Sequence, residues 1–459
     1  MKNIHPAEKN TTVIVTTYNQ LDILPICLKW LKQVEGIKNV AIIDNGSSDG
    51  TDTWLNANAS GYDVLSLAES QGLGIVWNMA VRHFVISDVI VFMEPQYFPG
   101  QKCIRRLEKL LAKNCGIAGV MSNGFLFSQY FQINTINDLP HLESIYSAEE
   151  PTGALSLDIA KGFWALSREA LEKNGAFSEE LVQGKNVLSD YTLRLVQNGY
   201  QPMICNQAFS YSANPQHIVN DFEYTHKAHD REILKDKWGM NYFNLIPSQF
   251  IMKLITEDYD TPLKILEVGC DLGASLLEIK NHYPNSKLYG LEINEAAVQI
   301  AKHFAEVKSG NIEDKVIPFQ ETFDYIIFGD VLEHLHDPQG IIRFCREKLN
   351  EHGCILAHIP NLMHISVMEQ LLQGRFEYTD TGLLDCTHIH FFTRYEIEKM
   401  FYAEGYAIEQ INPSFLKSAL TEKQEYLLDE LMKISTNVDP DMYRAFHYTV
   451  KARKQHIIT

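Results

Sequence analysis

The sequence predicts an α/β protein built from two domains, each with a largely parallel sheet. Both halves of the chain contain an aliphatic or β-branched run, then a segment with helical spacing of apolar residues, then a second aliphatic run. This order is typical of a strand–helix–strand unit, in which neighbouring strands run parallel. The runs are residues 11–19, 20–33 and 40–44 in the first half and residues 265–268, 274–279 and 287–293 in the second half.

The length of the chain also supports two domains. A chain of 459 residues is too long for one ordinary hydrophobic core. Residues 247–257 predict a helix, and residues 258–262 then break the helical pattern. We place the domains at residues 1–245 and 246–459.

The composition excludes several classes of partner. The net charge of −18 argues against binding of nucleic acid by phosphate neutralisation and against an electrostatic membrane anchor. The 8 cysteines include no C-x-x-C pair, which predicts reduced core residues. The N-terminus lacks the apolar core of a signal peptide, and no apolar run predicts a transmembrane segment. We expect a cytoplasmic protein, with peripheral attachment to the inner face of the membrane as the alternative; the oligomeric state does not follow from the sequence.

Polar residues follow the first two predicted strands, so they should meet at one edge of the sheet. The first strand ends in Thr17, Tyr18 and Asn19, and the second ends in Asp44, followed by N-G-S-S-D-G. This segment also has the composition of a plain turn. The combination resembles the nucleotide-sugar half of glycosyltransferase family 2, which contains inverting enzymes of the GT-A type. The resemblance implies a donor site in which Asp44 recognises the nucleobase and the other three residues line the pocket.

The same resemblance implies three further donor-binding residues. Residues 69–80 are similar to the family's glycine-rich segment and the helix after it, whose asparagine is Asn78 here. The next buried strand is followed by E-P-Q, with Glu94 and Gln96 where the family has D-x-D, the motif that holds a divalent metal on the donor diphosphate. Glu94 can still bind Mg²⁺ or Mn²⁺, whereas Gln96 offers only a neutral oxygen.

An inverting transfer also needs a carboxylate to deprotonate the acceptor hydroxyl. Residues 188–194 match the family's E-D-x-D-L-x-x-R motif in part. The remaining acid is Asp190, which corresponds to the catalytic base by this resemblance. The alternative is an aspartate that caps a helix or interacts with its dipole.

A glycine-bearing turn follows the first predicted strand of the second half. Gly269 would let the backbone reverse, Gly273 would allow close approach at a helix start, and Glu292 ends the next strand, where an acid meets a ribose diol. An NAD-type site is the alternative, although the third glycine of its G-x-G-x-x-G motif is not in place. Together with residues 322–338, this series resembles the class I S-adenosylmethionine-dependent methyltransferases, from about residue 263 to the C-terminus.

This second resemblance implies a Rossmann-like fold with a seven-stranded sheet and S-adenosylmethionine as the cofactor. In the family, the glycine turn holds the amino-acid end of the cofactor and the acid holds its ribose. The cofactor-binding residues predicted on this basis are Glu267, Gly269, Cys270, Gly273, Glu292, Ile293, Asn311, Ile312 and Asp330.

Carboxylates and histidines follow the fourth predicted strand of this half. Asp330, Glu333 and His334 stand at i, i+3 and i+4, one helical turn apart, and His388 lies in the later run D-C-T-H-I-H-F-F-T-R. Such a set can supply a divalent-metal shell. It is similar to that of metal-dependent O-methyltransferases, which implies these four residues as ligands of Mg²⁺ or Mn²⁺. The alternative is a metal-free site in which His334 or His388 is the catalytic base.

We therefore expect a bifunctional transferase. Its first domain would transfer a sugar from a nucleotide-sugar donor to a glycan, lipid-linked sugar or glycoprotein acceptor, and its second would O-methylate a sugar hydroxyl. The alternative is a methyltransferase alone, with the first domain a non-catalytic module that binds a sugar or nucleotide sugar. The E-P-Q run, Ser189 and Thr192 favour this alternative. A third interpretation is methylation of a protein side chain on a glycosylated target.

Overall fold

The computed structural model describes residues 11–123, 133–214, 227–240, 244–416, 419–436 and 438–455. The chain divides into two compact units, Met1–Leu245 (unit 1) and Ile246–Thr459 (unit 2). Each unit contains one sheet with helices around it, which confirms the predicted α/β class. No helix in the described ranges is long and apolar enough to cross a membrane.

Unit 1 contains a sheet of mixed direction. Its described strands are β1 (Thr11–Thr17), β2 (Ile37–Asp44), β3 (Asp63–Ser66), β4 (Val89–Met93), β5 (Tyr97–Pro99), β6 (Ile117–Ser122), β7 (Gly153–Leu155), β8 (Phe163–Ser167) and β9 (Met203–Ser212). The order is β3-β2-β1-β4-β8-β6-β9-β5, and β7 pairs with β9. Strand β1 pairs in parallel with both β2 and β4. The carboxyl ends of these three strands therefore meet at one edge, as the sequence predicts.

Helices of unit 1 connect these strands. They are α1 (Leu24–Leu31), α2 (Thr51–Asn58), α3 (Leu73–His83), α4 (Cys103–Leu110), α5 (Leu139–Ile145), α6 (Arg168–Asn174), α7 (Gly184–Gln197) and α8 (Lys227–Trp238). The apolar face of α1 buries Leu24, Cys27, Leu28 and Leu31 against the sheet, which is the spacing seen in the sequence.

Unit 2 contains a seven-stranded sheet. Its described strands are β10 (Lys264–Val268), β11 (Lys287–Glu292), β12 (Glu306–Ser309), β13 (Phe323–Gly329), β14 (Leu349–Pro360), β15 (Tyr406–Ser414) and β16 (His447–Lys454). The order is β12-β11-β10-β13-β14-β16-β15. Strands β10 to β14 run parallel, whereas β16 is antiparallel to both β14 and β15. The order reverses beside β10, which is where open α/β sheets bind their ligands.

Helices cover both faces of this sheet. They are α9 (Gln249–Met252), α10 (Ala274–His282), α11 (Glu295–Ala301), α12 (Pro338–Lys348), α13 (Ile365–Leu372), α14 (Arg394–Ala403), α15 (Glu422–Ile434) and α16 (Pro440–Arg444), with 3₁₀ turns at Ile312–Asp314 and Leu332–His334. Leu266 and Val268 of β10 face one core, and Ile265 faces the other. Since side chains alternate along a strand, Glu267 shares the Ile265 face, on which α10 lies.

The helix predicted at residues 247–257 is much shorter in the structure. Only α9 is helical there. Beyond α9, side chains bond to the backbone carbonyl oxygens of the segment. Tyr283, which follows α10, donates to those of Ile255 and Glu257, and Lys451 of β16 donates to that of Leu254. The segment is therefore tied to the sheet as irregular chain.

Candidate active sites

The glycine turn of unit 2 adopts the backbone that only glycine accepts easily. Gly269 and Gly273 have φ of +69° and +81°. The N–H of Gly269 donates to the carbonyl of Leu291 at 2.8 Å, which fixes the turn against β11. A Cβ on Gly269 would lie 2.7 Å from Cγ2 of Val331. The turn is therefore bonded to β11 and packed against Val331, which follows β13.

Glu267 lies beside this turn with one unpaired oxygen. Its side chain is buried, and Oε2 has no hydrogen-bond partner among the described residues. Burial is the main cause that raises the pKa of Glu267 to about 8; a hydrogen bond with Ser275 opposes the shift, and the charges of Asp271 and Glu292 add to it. A buried carboxyl without a cation is costly to ionise. A ligand ammonium group would complete this site.

Glu292 ends β11 and accepts two backbone hydrogen bonds. The donors are the N–H groups of Asp271, at 2.9 Å, and Asn294, at 2.8 Å. These bonds hold the carboxylate between the glycine turn and the start of α11. The next residue, Ile293, is 69% exposed, so it offers an apolar surface to a ligand at this strand end.

Three other predicted cofactor residues are buried or bonded to the protein itself. The side chain of Asn311 accepts from the N–H of Glu313 and caps the 3₁₀ turn. Ile312 is buried in the core and cannot be reached by a ligand without movement. The buried Cys270 packs against Gly290, and burial raises the pKa of its thiol. For these three residues, the geometry favours shaping of the pocket over direct contact.

Asp330 follows β13 and is held by two histidines that the sequence analysis missed. Its φ is +54°, a left-handed conformation that is uncommon for a residue other than glycine. Nδ1 of His358 lies 2.8 and 3.0 Å from its two carboxylate oxygens, and Nε2 of His447 lies 3.5 Å from Oδ1. Burial raises the pKa of Asp330, but the hydrogen bond and charges of these histidines outweigh it and lower the pKa overall.

Glu333, His334 and His388 form a second group, which we call the Glu333 triad. One ligating atom from each of the three lies within 4.8 Å of the others, and Nε2 of His388 lies 3.9 Å from Oε1 of Glu333. The Glu333 side chain is 1% exposed, and neither of its oxygens has a hydrogen-bond partner among the described residues. Burial raises the pKa of Glu333 well above its usual range, and the charge of Asp330 adds to this effect.

Both histidines of the Glu333 triad have Nδ1 beside a backbone carbonyl. Nδ1 of His334 lies 3.1 Å from the carbonyl oxygen of Thr387, and Nδ1 of His388 lies 3.2 Å from that of Leu383. A carbonyl can only accept, so each Nδ1 carries the proton and each Nε2 keeps a lone pair. Histidines that bind metals commonly have this arrangement.

The predicted four-residue shell is thus divided in the structure. Asp330 and Glu333 are not one α-helical turn apart, because Asp330 is left-handed and only Leu332–His334 forms a short 3₁₀ turn. The Asp330 carboxylate consequently groups with His358 and His447 rather than with the Glu333 triad. The two groups remain neighbours, since their charges influence one another.

Asp44 of unit 1 lies buried at the end of β2 and orders the loop after it. It accepts hydrogen bonds from the N–H and hydroxyl of Ser47 at 3.2 and 2.5 Å. The Ser47 hydroxyl accepts in turn from the N–H of Asn19, at 2.9 Å. The predicted residues Asp44 and Asn19 therefore meet at the sheet edge, with Thr17 buried and Tyr18 37% exposed beside them. Burial raises the pKa of Asp44, whereas the Ser47 bonds oppose the shift.

Glu94 and Gln96 bond to each other. The Gln96 amide donates to Oε2 of Glu94 and accepts from the amide of Gln20 at 2.6 Å. Amide hydrogens thus occupy one oxygen of Glu94 and the side-chain oxygen of Gln96. Within the described part of the chain, Glu94 belongs to no group of three or more acidic, histidine or cysteine side chains that could hold a metal ion. This arrangement does not favour the predicted metal contact.

The side chain of Asn78 forms hydrogen bonds within unit 1. Its amide donates to the carbonyl of Phe177 at 3.0 Å and accepts from the N–H of Phe177 at 2.9 Å, and it also donates to Glu179. The residue is 4% exposed. These bonds join α3 to the segment before α7, so the geometry favours a structural role over donor contact.

Asp190 lies within α7 and is fully buried. Arg194 donates to one of its oxygens at 3.1 Å, and Trp238 and Lys237 approach the other at 2.9 and 2.7 Å. Both oxygens are thus occupied, and the carboxylate is not accessible to an acceptor in this conformation. The geometry favours a structural ion pair over the predicted role as base.

We expect Asp190→Asn to destabilise unit 1. Removing one member of a buried ion pair costs roughly 3 kcal/mol, which corresponds to a fall in Tm of about 6 °C or more for a domain of this size. Thermal unfolding of the full chain measures the change. Asp236→Asn, at an exposed position of α8, the helix that carries Lys237 and Trp238, is the control. Unchanged stability of Asp190→Asn together with loss of glycosyl transfer would restore the role as base.

The sequence matches two family models. Residues 12–175 match the model described as glycosyl transferase family 2, and residues 241–411 match the model described as methyltransferase domain. No curated protein shows significant similarity to the sequence. These matches confirm both family resemblances predicted from the sequence.

Solved structures similar to the chain include two S-adenosylmethionine-dependent methyltransferases. The protein from Archaeoglobus fulgidus is 15% identical, with 51% of this chain and 100% of that chain covered and a TM-score of 0.32. The protein from Mesorhizobium loti is 15% identical, with 44% of this chain and 95% of that chain covered and a TM-score of 0.30. On the family matches, the chain is an enzyme of the transferase class that joins a glycosyl transferase family 2 domain to a methyltransferase domain.

Proposed function

We propose that the chain is a bifunctional transferase with domains at residues 1–245 and 246–459. Unit 1 transfers a sugar from a nucleotide-sugar donor with inversion, and unit 2 O-methylates a sugar hydroxyl with S-adenosylmethionine. The acceptor is a glycan, a lipid-linked sugar or a glycoprotein. The proposed place of action is the cytoplasm or the inner face of the membrane. The observation that carries the methyl-transfer half is the unpaired Glu267 oxygen beside the Gly269 turn, with Glu292 on the next strand.

The chemistry of S-adenosylmethionine matches these groups. When bound, it supplies the methyl group, and it presents an ammonium group and a ribose diol to the protein. Glu267 can pair with the ammonium group, which would satisfy its unpaired oxygen and stabilise its ionised form. Glu292 can accept hydrogen bonds from the diol. The exposed Ile293 can pack on the adenine, next to the strand end.

The Glu333 triad fits a divalent metal ion. Its carboxylate is buried without a partner, and its two imidazoles present lone pairs, so a cation would supply the missing charge. When bound, such an ion would lower the pKa of an acceptor hydroxyl. In the metal-free alternative, Nε2 of His334 or His388 accepts the hydroxyl proton directly. The unpaired oxygens of Glu333 favour the metal.

Glycosyl transfer by unit 1 is supported by the family match and by the ordered loop around Asp44. Asp44 can accept hydrogen bonds from a nucleobase at the edge where β1, β2 and β4 end. The second candidate function is methyl transfer alone, with unit 1 a non-catalytic module that binds a sugar or nucleotide sugar. The burial of Asp190 and the bond between Glu94 and Gln96 favour this candidate.

Hydrolysis of nucleotide sugars distinguishes the two candidates. We expect the full chain to hydrolyse one member of a panel of UDP-, GDP- and dTDP-sugars slowly, because glycosyltransferases use water when no acceptor is present. Calorimetric binding of the same panel, with and without Mn²⁺, is the parallel measurement. Binding without hydrolysis favours the binding module, and a lack of both contradicts a donor site in unit 1. Binding of S-adenosylmethionine, measured in the same way, tests unit 2 independently.

A further inference from the structure

Two exposed aromatic residues lie in the loop between α13 and α14 of unit 2. Phe376 is 37% exposed and Tyr378 is 57% exposed. We propose that the rings of these two residues, the ring platform, bind a neutral sugar unit of the acceptor beside the Glu333 triad. The inference rests on the O-methylation of a sugar hydroxyl proposed above, and it names the part of unit 2 that recognises the acceptor.

Side chains alternate along the segment that carries the ring platform. The ring centroids of Phe376 and Tyr378 are 5.5 Å apart, with 84° between the ring planes. Arg375 and Glu377, which alternate with them in the sequence, form an ion pair with 2.8 Å between Nη2 and Oε2. In an extended chain, successive side chains point to opposite sides. The two rings therefore share one side of the segment, and the ion pair lies on the other.

Phe391 joins the ring platform to the Glu333 triad. Its ring centroid lies 5.4 Å from that of Phe376 and 6.4 Å from that of Tyr378. The same centroid lies 6.2 Å from that of His388, which is a member of the triad. Phe391 also packs against a small buried core of unit 2, so it gives the platform a fixed support. A single aromatic side chain thus connects the two exposed rings with the triad.

Backbone hydrogen bonds fasten this loop to the triad. The N–H groups of Ile389 and His390 both donate to the carbonyl oxygen of Glu333, at 3.0 Å. Nearer the platform, the N–H of Cys386 donates to the carbonyl oxygen of Thr379 at 2.9 Å. Thr379 directly follows the platform in the sequence. The rings therefore keep a defined place relative to the triad, which is what a surface needs in order to orient an acceptor.

The chemistry of the loop favours a neutral sugar as the ligand. An aromatic ring offers a flat apolar surface, and a pyranose has an apolar face of C–H groups with hydroxyl groups around it. Residues 375–391 contain three acids and one basic residue, Arg375, which pairs with Glu377. This balance disfavours anionic ligands such as phospholipid headgroups. An acyl chain would need a continuous apolar groove, whereas charged residues alternate with the two rings. Unit 1 matches a family of glycosyl transferases, so a sugar-containing acceptor is a ligand that both units can share.

Titration of the full chain with the methyl pyranosides of glucose, galactose, mannose and rhamnose, followed by saturation-transfer NMR, tests the ring platform. We expect at least one of these sugars to bind. Tyr378→Ala should weaken that binding about 10-fold, and Tyr378→Phe should bind like the wild type, because it keeps the ring. The matched control is Tyr402→Ala on α14, whose tyrosine is also 57% exposed. S-adenosylmethionine affinity, measured by calorimetry, should stay unchanged in all three variants.

Four results would overturn the inference. They are no binding of these sugars to the wild type, wild-type sugar affinity in Tyr378→Ala, equal weakening by Tyr378→Phe, and equal weakening by Tyr402→Ala. A general loss of structure in Tyr378→Ala would appear as a loss of S-adenosylmethionine affinity, and Tyr378→Leu, which keeps apolar bulk without a ring, then decides. If a sugar binds as expected but receives no methyl group from labelled S-adenosylmethionine, the proposed O-methylation fails and the platform stands. Methylation of a sugar with an unchanged KM in Tyr378→Ala would have the opposite meaning.

Discussion

Gly269→Val should reduce the affinity of the chain for S-adenosylmethionine more than about 100-fold, or ~2.8 kcal/mol. Gly269 has φ of +69°, which a β-branched residue adopts only with strain. Its new Cβ would also lie 2.7 Å from Val331. The turn must therefore move, and with it the N–H that bonds to Leu291. Calorimetry with S-adenosylmethionine and S-adenosylhomocysteine measures the loss.

Gly374→Val separates this effect from general backbone strain. Gly374 also has a positive φ, of +73°, but a Cβ there would meet no atom within 4 Å. Gly374 follows α13, whereas the glycine turn follows β10, about one hundred residues earlier in the chain. We expect this variant to lose some stability and to keep its cofactor affinity. Wild-type affinity in Gly269→Val would remove the glycine turn from the proposed site.

The sequence predicts this turn well because the information is local. Gly269, Gly273 and Glu292 lie within one strand–helix–strand unit, and parallel strands place their carboxyl ends at one edge. The same reasoning predicts the meeting of Asn19 and Asp44 in unit 1. In both cases the pattern of strands alone determines which side chains come together.

The two histidines beside Asp330 could not be predicted in this way. His358 and His447 belong to strands far apart in the chain, and only the antiparallel pairing of β16 with β14 joins them. Their shared face depends on a register that sequence spacing does not reveal. The available signal was weak: each histidine stands in or at the start of an otherwise strand-like run.

Asp190 illustrates a second limit of prediction from the sequence. The sequence places it in a partly matching catalytic motif, but its partners Lys237 and Trp238 come from α8, more than forty residues away. Whether a carboxylate faces solvent or an internal cation depends on such long-range packing. Local motifs therefore single out the acid and leave its role open.

Asp44→Ala should reduce nucleotide affinity by about 100-fold, because hydrogen bonds to a charged group contribute up to ~3 kcal/mol. The buried carboxylate at the end of β2 is the acceptor that the proposed site offers to a nucleobase. Calorimetry with UDP, GDP and dTDP, using whichever nucleotide the wild type binds, measures the change. Asp52→Ala, an exposed acid on α2, controls for the loss of one negative charge.

Ser47→Ala distinguishes recognition by Asp44 from its ordering of the loop. This variant removes the hydroxyl that links Asp44 to Asn19 but leaves the carboxylate in place. If Asp44 contacts the nucleobase, Ser47→Ala should bind much more tightly than Asp44→Ala. Equal losses in the two variants would mean that Asp44 acts only through the loop. Wild-type affinity in Asp44→Ala would mean that the nucleotide binds elsewhere.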